Sequence, residues 1–199
     1  MLFLSESERR AEQLAAILHA FDGNSGVMVL PAWDSLPYDG SLPSPEITGR
    51  RASVLRRLTN KRVPALVLAT AESALQRVAP LDVWKDATLH IRRNMQLSED
   101  DLGAFLRRTG YAIEPKVEMP GEASLHEQVA DIFPAGALAP IRLDYADDRI
   151  VSISTYDPET QRSTGEINEI VIDAASEIIP APAGEHAAQS PVRASLSAH

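Results

Sequence analysis

The sequence predicts an α/β fold, in which a parallel sheet with helices on both faces is joined to a smaller α+β part with an antiparallel sheet. Three continuous apolar stretches, 1–4, 27–30 and 64–70, are each followed by a helical pattern. Strands that are apolar throughout are typical of parallel sheets buried between helices. After Leu81 several strands follow one another through short connections, which favours antiparallel pairing.

Local signals place the helices of the first part. Ser5 and Glu8 have the spacing of a capping box, and apolar residues then keep helical period, so we predict a helix over 6–21. A second helix begins at Pro45, a residue that suits the first turn of a helix. A short third helix is expected over 71–78. The first eighty residues thus contain three strand-then-helix units.

The connection between the second strand and the second helix is unusually long. It begins at Leu30, holds four prolines and carries Trp33 and Tyr38 before the helix starts. Such connections usually run about 2–6 residues, and longer ones tend to carry function. We expect the two aromatic side chains to pack this loop onto the sheet.

The second helix carries Arg50, Arg51 and Arg57 on the side opposite its apolar stripe. With Trp33 and Tyr38 nearby, these arginines could neutralise phosphates while the rings stack bases, which makes weak DNA binding one hypothesis. A charged helix face is more often simply solvated. Both interpretations remain open from the sequence.

The second part extends over 82–165. Ser98, followed by three acidic residues, predicts the start of a helix over 98–109. Asp147 and Asp148 lie between two alternating runs and predict a hairpin turn. The segment from 180 to 199 is rich in Ala, Pro and Ser and is expected to be a disordered tail. The predicted strands of this part and of the segment after it are 88–95, 111–119, 125–133, 140–146, 149–156 and 167–172.

Composition narrows the classes of function. The net charge of −9 and the pI near 5.0 argue against a general nucleic-acid or membrane-surface binder, because nonspecific phosphate binding needs a basic surface. The sequence has no cysteine, so disulfides and thiolate metal sites are excluded. No apolar run approaches about 18–20 residues, and the charged residues after Leu4 do not fit a signal peptide. We therefore expect a cytoplasmic protein without a membrane partner.

Motifs for cofactors and catalysis are missing from the sequence. Neither the phosphate-loop signature G-x-x-x-x-G-K-[ST] nor G-x-G-x-x-G occurs, which argues against an ATPase or a dinucleotide enzyme. The histidines are scattered without the spacing of metal ligands, and no G-x-S-x-G elbow anchors a serine nucleophile. We expect no cofactor, no metal and no enzymatic activity.

Short motifs in colinear order extend along most of the chain. The first is L-P-x-W-x-x-L-P-Y-D at 30–39, which is followed by P-x-x-x-I at 43–47. Further motifs lie at 69–70, 75–80, 110–111, 121–122, 131–134, 141–144, 147–152 and 156–162. Their order and spacing over residues 1–179 resemble the N-terminal region of the bacterial transcription-repair coupling factor, which is itself similar to the excision-repair subunit UvrB.

This resemblance implies a UvrB-like module. Residues 1–81 would be a piece of the first helicase-fold domain, 82–165 an inserted domain that binds UvrA in the family, and 166–179 a return strand to the first domain. The family's degenerate first strand and phosphate loop would precede Met1. The aromatic hairpin that UvrB inserts into DNA is lacking here, as it is in coupling factors.

The resemblance also implies a partner surface. In the coupling factor, the second domain presents a Thr-Arg-Gly segment and a later arginine in a Y-R-L-D-F strand. Arg142 matches the later arginine, His126 stands at the place of the first, and Ala146 replaces an aromatic residue. We expect Arg142 to be the main partner contact, with Arg149 and His126 as further contacts. A neutral histidine cannot bridge a carboxylate in bidentate fashion as arginine does.

Two functions follow from these observations. The first is a non-catalytic interaction module of nucleotide excision or transcription-coupled DNA repair that docks on UvrA or a relative. The alternative is a degenerate or truncated relative that acts by self-association or weak DNA binding without UvrA. A sheet without its first strand would have an open edge, at which a homo-oligomer could form.

Overall fold

The structure, a computed structural model, describes residues 1–22, 26–36, 40–59 and 64–179, and it has the expected mixed α/β character. Tyr38 and the tail from residue 180 lie outside these described residues. The helices are α1 Glu8–Phe21, α2 Pro45–Thr59, α3 Ala71–Leu75, α4 Leu81–Asp86 and α5 Glu99–Arg108. The strands are β1 Leu2–Ser5, β2 Val27–Leu30, β3 Leu66–Thr70, β4 Leu89–Arg92, β5 Ala112–Ile113, β6 Glu122–His126, β7 Val129–Ile132, β8 Ile141–Ala146, β9 Arg149–Tyr156, β10 Ser163–Glu166 and β11 Glu169–Ile172.

The first sheet is parallel, with the strand order β1-β3-β2. Helix α1 buries Ala11 and Ala15 against Val27 and Leu68 on one face. Neighbouring residues of a strand point to opposite faces, so Val67 faces the other side, where it lines a cavity with residues of α2 and α3. The prediction of a parallel sheet with helices on both faces is therefore confirmed for β2 and β3.

Strand β1 differs from the prediction of a buried strand. Leu2, Phe3 and Leu4 are 59%, 46% and 55% exposed. Only one side of β1 is paired among the described residues, and α1 contacts it little. Its apolar sequence indicated the strand correctly but not its burial, because burial depends on which elements cover it.

The start of α1 also differs from the prediction. The hydroxyl of Ser7 accepts a hydrogen bond from the backbone N–H of Arg10 at 3.3 Å, so Ser7 is the N-cap. The expected cap, Ser5, instead donates its hydroxyl to the Ser7 carbonyl oxygen at 3.0 Å. A second difference is α4, which the sequence did not indicate. It is short and is fixed by the buried ring of Trp84, whose Nε1 donates to the Ala79 carbonyl at 3.1 Å.

The second sheet has six strands in the order β10-β9-β8-β7-β6-β5. The predicted hairpin is confirmed, since Asp147 and Asp148 have φ angles of 48° and 58°, as a two-residue type I′ turn requires. The single strand predicted over 125–133 is wrong, because that segment is the β6–β7 hairpin with its turn at 127–128. Strand β5 has only two residues and pairs with β6 in parallel.

The main core lies between one face of the six-stranded sheet and a layer made of α5 and the β4–β11 ribbon. Strands β4 and β11 pair with each other as a separate antiparallel sheet. Alternate residues of the six-stranded sheet point into this core. The buried core residues are Ile91, Leu102, Leu106, Tyr111, Ala123, Ala130, Ile132, Ala135, Ile141, Leu143, Ile150, Ile153, Ile172 and Ala175.

The return of the chain after β11 also differs from the expectation. Residues 166–179 do not add a strand to the first sheet, because β11 pairs with β4. The return is made instead by side chains of the segment just after β11. Asp173 accepts two hydrogen bonds from Arg56 of α2, at 2.7 and 3.2 Å. Asp173 also accepts a hydrogen bond from Tyr111 through its backbone carbonyl at 2.8 Å, and this ties the same segment to the core of the six-stranded sheet.

Arg51 of α2 makes the second connection, and its position corrects the expectation of a solvent-facing basic residue. The side chain is fully buried. Its Nη1 donates to the Pro31 carbonyl at 2.7 Å and to Gln76 Oε1 at 2.9 Å, and its Nε donates to Glu177. Trp33 Nε1 donates to the same Glu177 carboxylate at 3.0 Å. These five residues, the Arg51 cluster, join the long β2–α2 connection, α3 and the segment after β11.

Replacing Arg51 with alanine should lower the free energy of unfolding by about 3 kcal/mol, because the change removes a buried cation from its partners and leaves the Glu177 carboxylate, whose side chain is only 11% exposed, without it. Urea denaturation of the chain measures this. Arg57→Ala is the matched control, since Arg57 is exposed on the same helix and its removal should change stability by less than about 0.5 kcal/mol. Equal effects of the two changes would contradict a structural role for Arg51.

A second prediction concerns Gly49, where α2 meets the β7–β8 connection. A Cβ atom at Gly49 would lie 2.2 Å from the backbone carbonyl group of Ala135. Gly49→Ala should therefore destabilise the fold by about 1–3 kcal/mol or more, because backbone at this contact must shift. Gly165→Ala is the control, since the nearest atom would lie 3.6 Å away. Thermal unfolding of both variants tests this, and a Gly49→Ala protein as stable as Gly165→Ala would refute the contact.

Candidate partner-binding face

The face of the six-stranded sheet that points away from α5 is polar and holds the main residue expected to contact a partner. Residues opposite one another in an antiparallel pair lie on the same face of the sheet. Every second residue of each strand points into the core. The other set forms what we call the outer face. Two of its rows follow from the register, one of Ser124, Asp131, Arg142 and Ser154 and one of His126, Val129, Asp144 and Ser152.

Arg142 is held in place on the outer face rather than free in solvent. Its Nε and Nη2 donate to the two carboxylate oxygens of Asp131, both at 2.7 Å, and Nη2 also lies 3.4 Å from Gln161 Oε1. The guanidinium lies over the ring of Tyr156, with Cζ 4.9 Å from the ring centre. The hydrogen bond to Asp131 raises the pKa of Arg142, which keeps it charged. About a third of the side chain, 32%, is exposed, and Nη1 makes no hydrogen bond to the described residues.

Tyr156 forms the floor beneath Arg142. The residue is 1% exposed, and its hydroxyl has no hydrogen-bond partner among the described residues. Burial raises the pKa of Tyr156 to about 12, since it disfavours the charged phenolate, and the nearby Asp131 carboxylate acts in the same direction. The Arg142 guanidinium therefore packs on a neutral ring and is held by its two hydrogen bonds to Asp131.

His126 lies on the same face but two strands away from Arg142. The Ser124 hydroxyl has one hydrogen, which it donates to the Pro115 carbonyl at 3.2 Å. The 3.0 Å bond between Ser124 and His126 is therefore donated by the imidazole Nε2–H. This arrangement leaves Nδ1 as an acceptor on an exposed side chain. Strand spacing and rise place the Cα atoms of His126 and Arg142 about 12 Å apart.

Arg149 is not brought close to Arg142. It pairs with Ala146 at the end of the β8–β9 hairpin, about 13 Å along β8 from Arg142. Its Nη1 donates to the backbone carbonyl of Asn94 at 2.8 Å, so it helps to hold the connection after β4. Arg149 is exposed and lies at the hairpin end of β9.

The arginines expected to bind nucleic acid do not form one surface. Arg51 is buried in its cluster, while Arg50 forms an ion pair with Glu12 of α1 and Arg57 is exposed. Across the described ranges, no group of three or more histidine, aspartate or glutamate side chains is arranged to hold a metal ion. Among the same residues, no helix has the length and apolar character needed to cross a membrane.

A family model described as the UvrB interaction domain matches residues 89–178, which include the whole six-stranded sheet, α5 and the β4–β11 ribbon. Residues 89–178 belong to the UvrB interaction domain family. The outer face and the main core are therefore both parts of one recognised domain, and the resemblance inferred from the motifs is confirmed.

Over most of its length the chain is similar to transcription-repair-coupling factors. The Haemophilus influenzae protein is 33% identical over 162 residues, which cover 81% of this chain and 14% of that protein. The Escherichia coli protein is 33% identical over 144 residues, 72% of this chain and 12% of that protein. The Bacillus subtilis protein is 27% identical over 195 residues, 98% of this chain and 16% of that protein. The chain thus spans about a sixth or less of the length of these relatives.

Three residues that shape the site had no assigned role in the sequence. Asp131, Tyr156 and Gln161 each occur in the motifs of the resemblance, but their meeting around Arg142 depends on strand register. The sequence contained one signal for Asp131. It lies between the apolar residues Ala130 and Ile132, and this alternation places it on the polar face of the strand. The predicted antiparallel pairing placed the segment 125–133 beside 140–146, but it did not give the register that sets Asp131 opposite Arg142.

The raised pKa of Tyr156 predicts a change in alkaline stability. An unfolded tyrosine ionises near pH 10, whereas Tyr156 in the fold ionises near pH 12, so stability is lost as pH rises between these values. Tyr156→Phe removes this contribution and should make the free energy of unfolding fall less steeply from pH 10 to 12. Urea denaturation at a series of pH values measures the slope. Identical slopes for the variant and the parent chain would show that Tyr156 is not buried as a neutral phenol.

Proposed function

We propose that this chain is a cytoplasmic, non-catalytic interaction module of nucleotide excision and transcription-coupled DNA repair, and that its outer face docks on UvrA. The observation that carries the proposal is the fixed Arg142, about one third exposed, within a segment of the UvrB interaction domain family. The three-stranded sheet would then be the part of a helicase-type domain that the resemblance implies, serving here as support for the docking domain.

The geometry of Arg142 favours a particular kind of contact. Two of its nitrogens already bind Asp131, so a partner carboxylate cannot take the same bidentate fork. The Nη1 edge remains and can donate to a single carboxylate oxygen or backbone carbonyl. Because the guanidinium is already oriented, little side-chain entropy is lost on binding, which strengthens a contact without adding new atoms. Asp131 acts as a positioning residue in this proposal.

The two departures from the coupling-factor pattern affect the periphery of this face. His126 uses one ring nitrogen for Ser124, so it offers the partner one acceptor instead of an arginine fork. Ala146 is exposed at the hairpin end and supplies little apolar area. Both changes reduce the binding free energy that the rim of the face contributes. Arg142 should therefore supply a larger share of it than in the coupling-factor pattern.

Direct binding to purified UvrA tests the proposal. The chain should bind at micromolar concentration in calorimetry, and Arg142→Ala should weaken binding about thirtyfold, the loss expected for a central arginine at an interface. Asp131→Ala should weaken binding less, because Arg142 stays present but loses its orientation.

Arg10→Ala is the control, since Arg10 is exposed on α1, which packs on the first sheet and not on the six-stranded sheet. Circular dichroism of each variant establishes that the fold is kept. Absence of binding by the parent chain, or equal affinities for the parent and Arg142→Ala, would reject UvrA docking by this face.

A further inference from the structure

A cleft lies along the open edge of the first sheet, and none of its lining residues belongs to the outer face. It has a volume of about 450 Å³ and is bounded by α1 on one side and α2 on the other, with Gly136 of the β7–β8 connection also in its lining. Its floor is formed by Val27, Met28 and Val29, three consecutive residues of β2. Consecutive strand residues point to opposite faces, so a cleft that touches all three follows the edge of the strand rather than either face of the sheet.

The backbone of β2 is available on this edge. The Gly26 carbonyl accepts a hydrogen bond from Ala65 N–H at 3.0 Å, so residue 26 directs its polar groups toward β3. These groups alternate sides along a strand, and those of Val27 and Val29 therefore point into the cleft. No described residue pairs with them, since β2 lies at the end of the strand order β1-β3-β2.

The walls of the cleft leave room for a chain. Ala15 and Ala16 of α1 and Ser53 of α2 are small, and Ala16 is exposed. The length is limited, because the wall from Glu12 to His19 covers seven helical steps, or about 10 Å. An extended chain rises about 3.3 Å per residue, so the cleft holds a strand of about three residues beside Val27–Val29.

The charges of the cleft select the occupant. Arg57 is exposed and lines the cleft, and Arg50, which also lines it, forms an ion pair with Glu12. Both arginines project from α2, and His19 lines the opposite wall. Because Glu12 balances Arg50, the exposed Arg57 gives the cleft its excess positive charge, on a chain whose net charge is −9. An added strand would place alternate side chains toward α2, where acidic groups are favoured, and toward the alanines of α1, where small apolar groups fit.

We propose that this cleft binds a short extended segment of a partner protein by strand addition to β2, with an acidic residue at the position that faces Arg57. Strand addition derives its affinity from backbone hydrogen bonds and its specificity from alternate side chains. The proposal does not depend on UvrA docking, because it uses neither Arg142 nor the six-stranded sheet.

The probe for the test is a labelled heptapeptide of alternating valine and glutamate, capped at both ends, with fluorescence anisotropy as the readout. The parent chain should give saturable binding, and the same peptide N-methylated at every peptide bond should not bind, because it cannot donate backbone hydrogen bonds. Arg57→Glu should weaken binding about fivefold, as expected for reversal of one exposed charge. Ala16→Phe should abolish binding, since its ring would fill the cleft from an exposed position.

Two control variants establish whether the peptide binds in this cleft or elsewhere on the surface. Arg10→Glu makes the same charge change on the far side of α1 and should leave peptide affinity unchanged, as should Arg142→Ala. Equal binding of the methylated peptide, or full affinity of Arg57→Glu, would overturn the proposal. So would tighter binding of a single-stranded oligonucleotide at the same arginines, or a dimer in light scattering that Ala16→Phe dissociates, because these would identify nucleic acid or a second copy as the occupant.

Discussion

The buried guanidinium of Arg51 is the constraint on which the arrangement of the two sheets depends. A charge removed from water needs partners that compensate for its lost hydration, and here they come from three separate places. Pro31 belongs to the connection after β2, Gln76 follows α3, and Glu177 follows β11. These segments must meet at Arg51 for its charge to be tolerated, so one side chain fixes how the end of the described chain returns to its beginning.

Helix α2 serves two neighbouring parts of the molecule because of this constraint. One side of the helix is fixed to the segment after β11 by Arg51 and Arg56 and to the β7–β8 connection at Gly49. The side that carries Arg50 and Arg57 is left beside the open edge of β2. The arginines that the sequence grouped on one face therefore have different roles: Arg51 is structural, whereas Arg50 and Arg57 lie at the surface.

The six-stranded sheet shows how a polar face can be both structural and available for binding. Its core side is filled by alternate apolar residues, which leaves the other side to short polar side chains and to Arg142. A single arginine on such a face would normally sample many rotamers. The Asp131 carboxylate, together with the ring of Tyr156, limits it to one orientation and leaves the Nη1 edge toward solvent.

The sequence by itself determined the elements whose signals are local. It located β2, β3, β8, β9, the helix after Ser98 and the Asp147-Asp148 turn, because apolar period, capping and turn chemistry act over a few residues. It missed the β6–β7 turn at 127–128, where no glycine or proline marks the reversal. Tertiary structure alone decided that Arg51 is buried, that β11 pairs with β4, and that Asp131 meets Arg142. Each of these depends on contacts between residues far apart in the chain or on strand register, which local pattern does not encode.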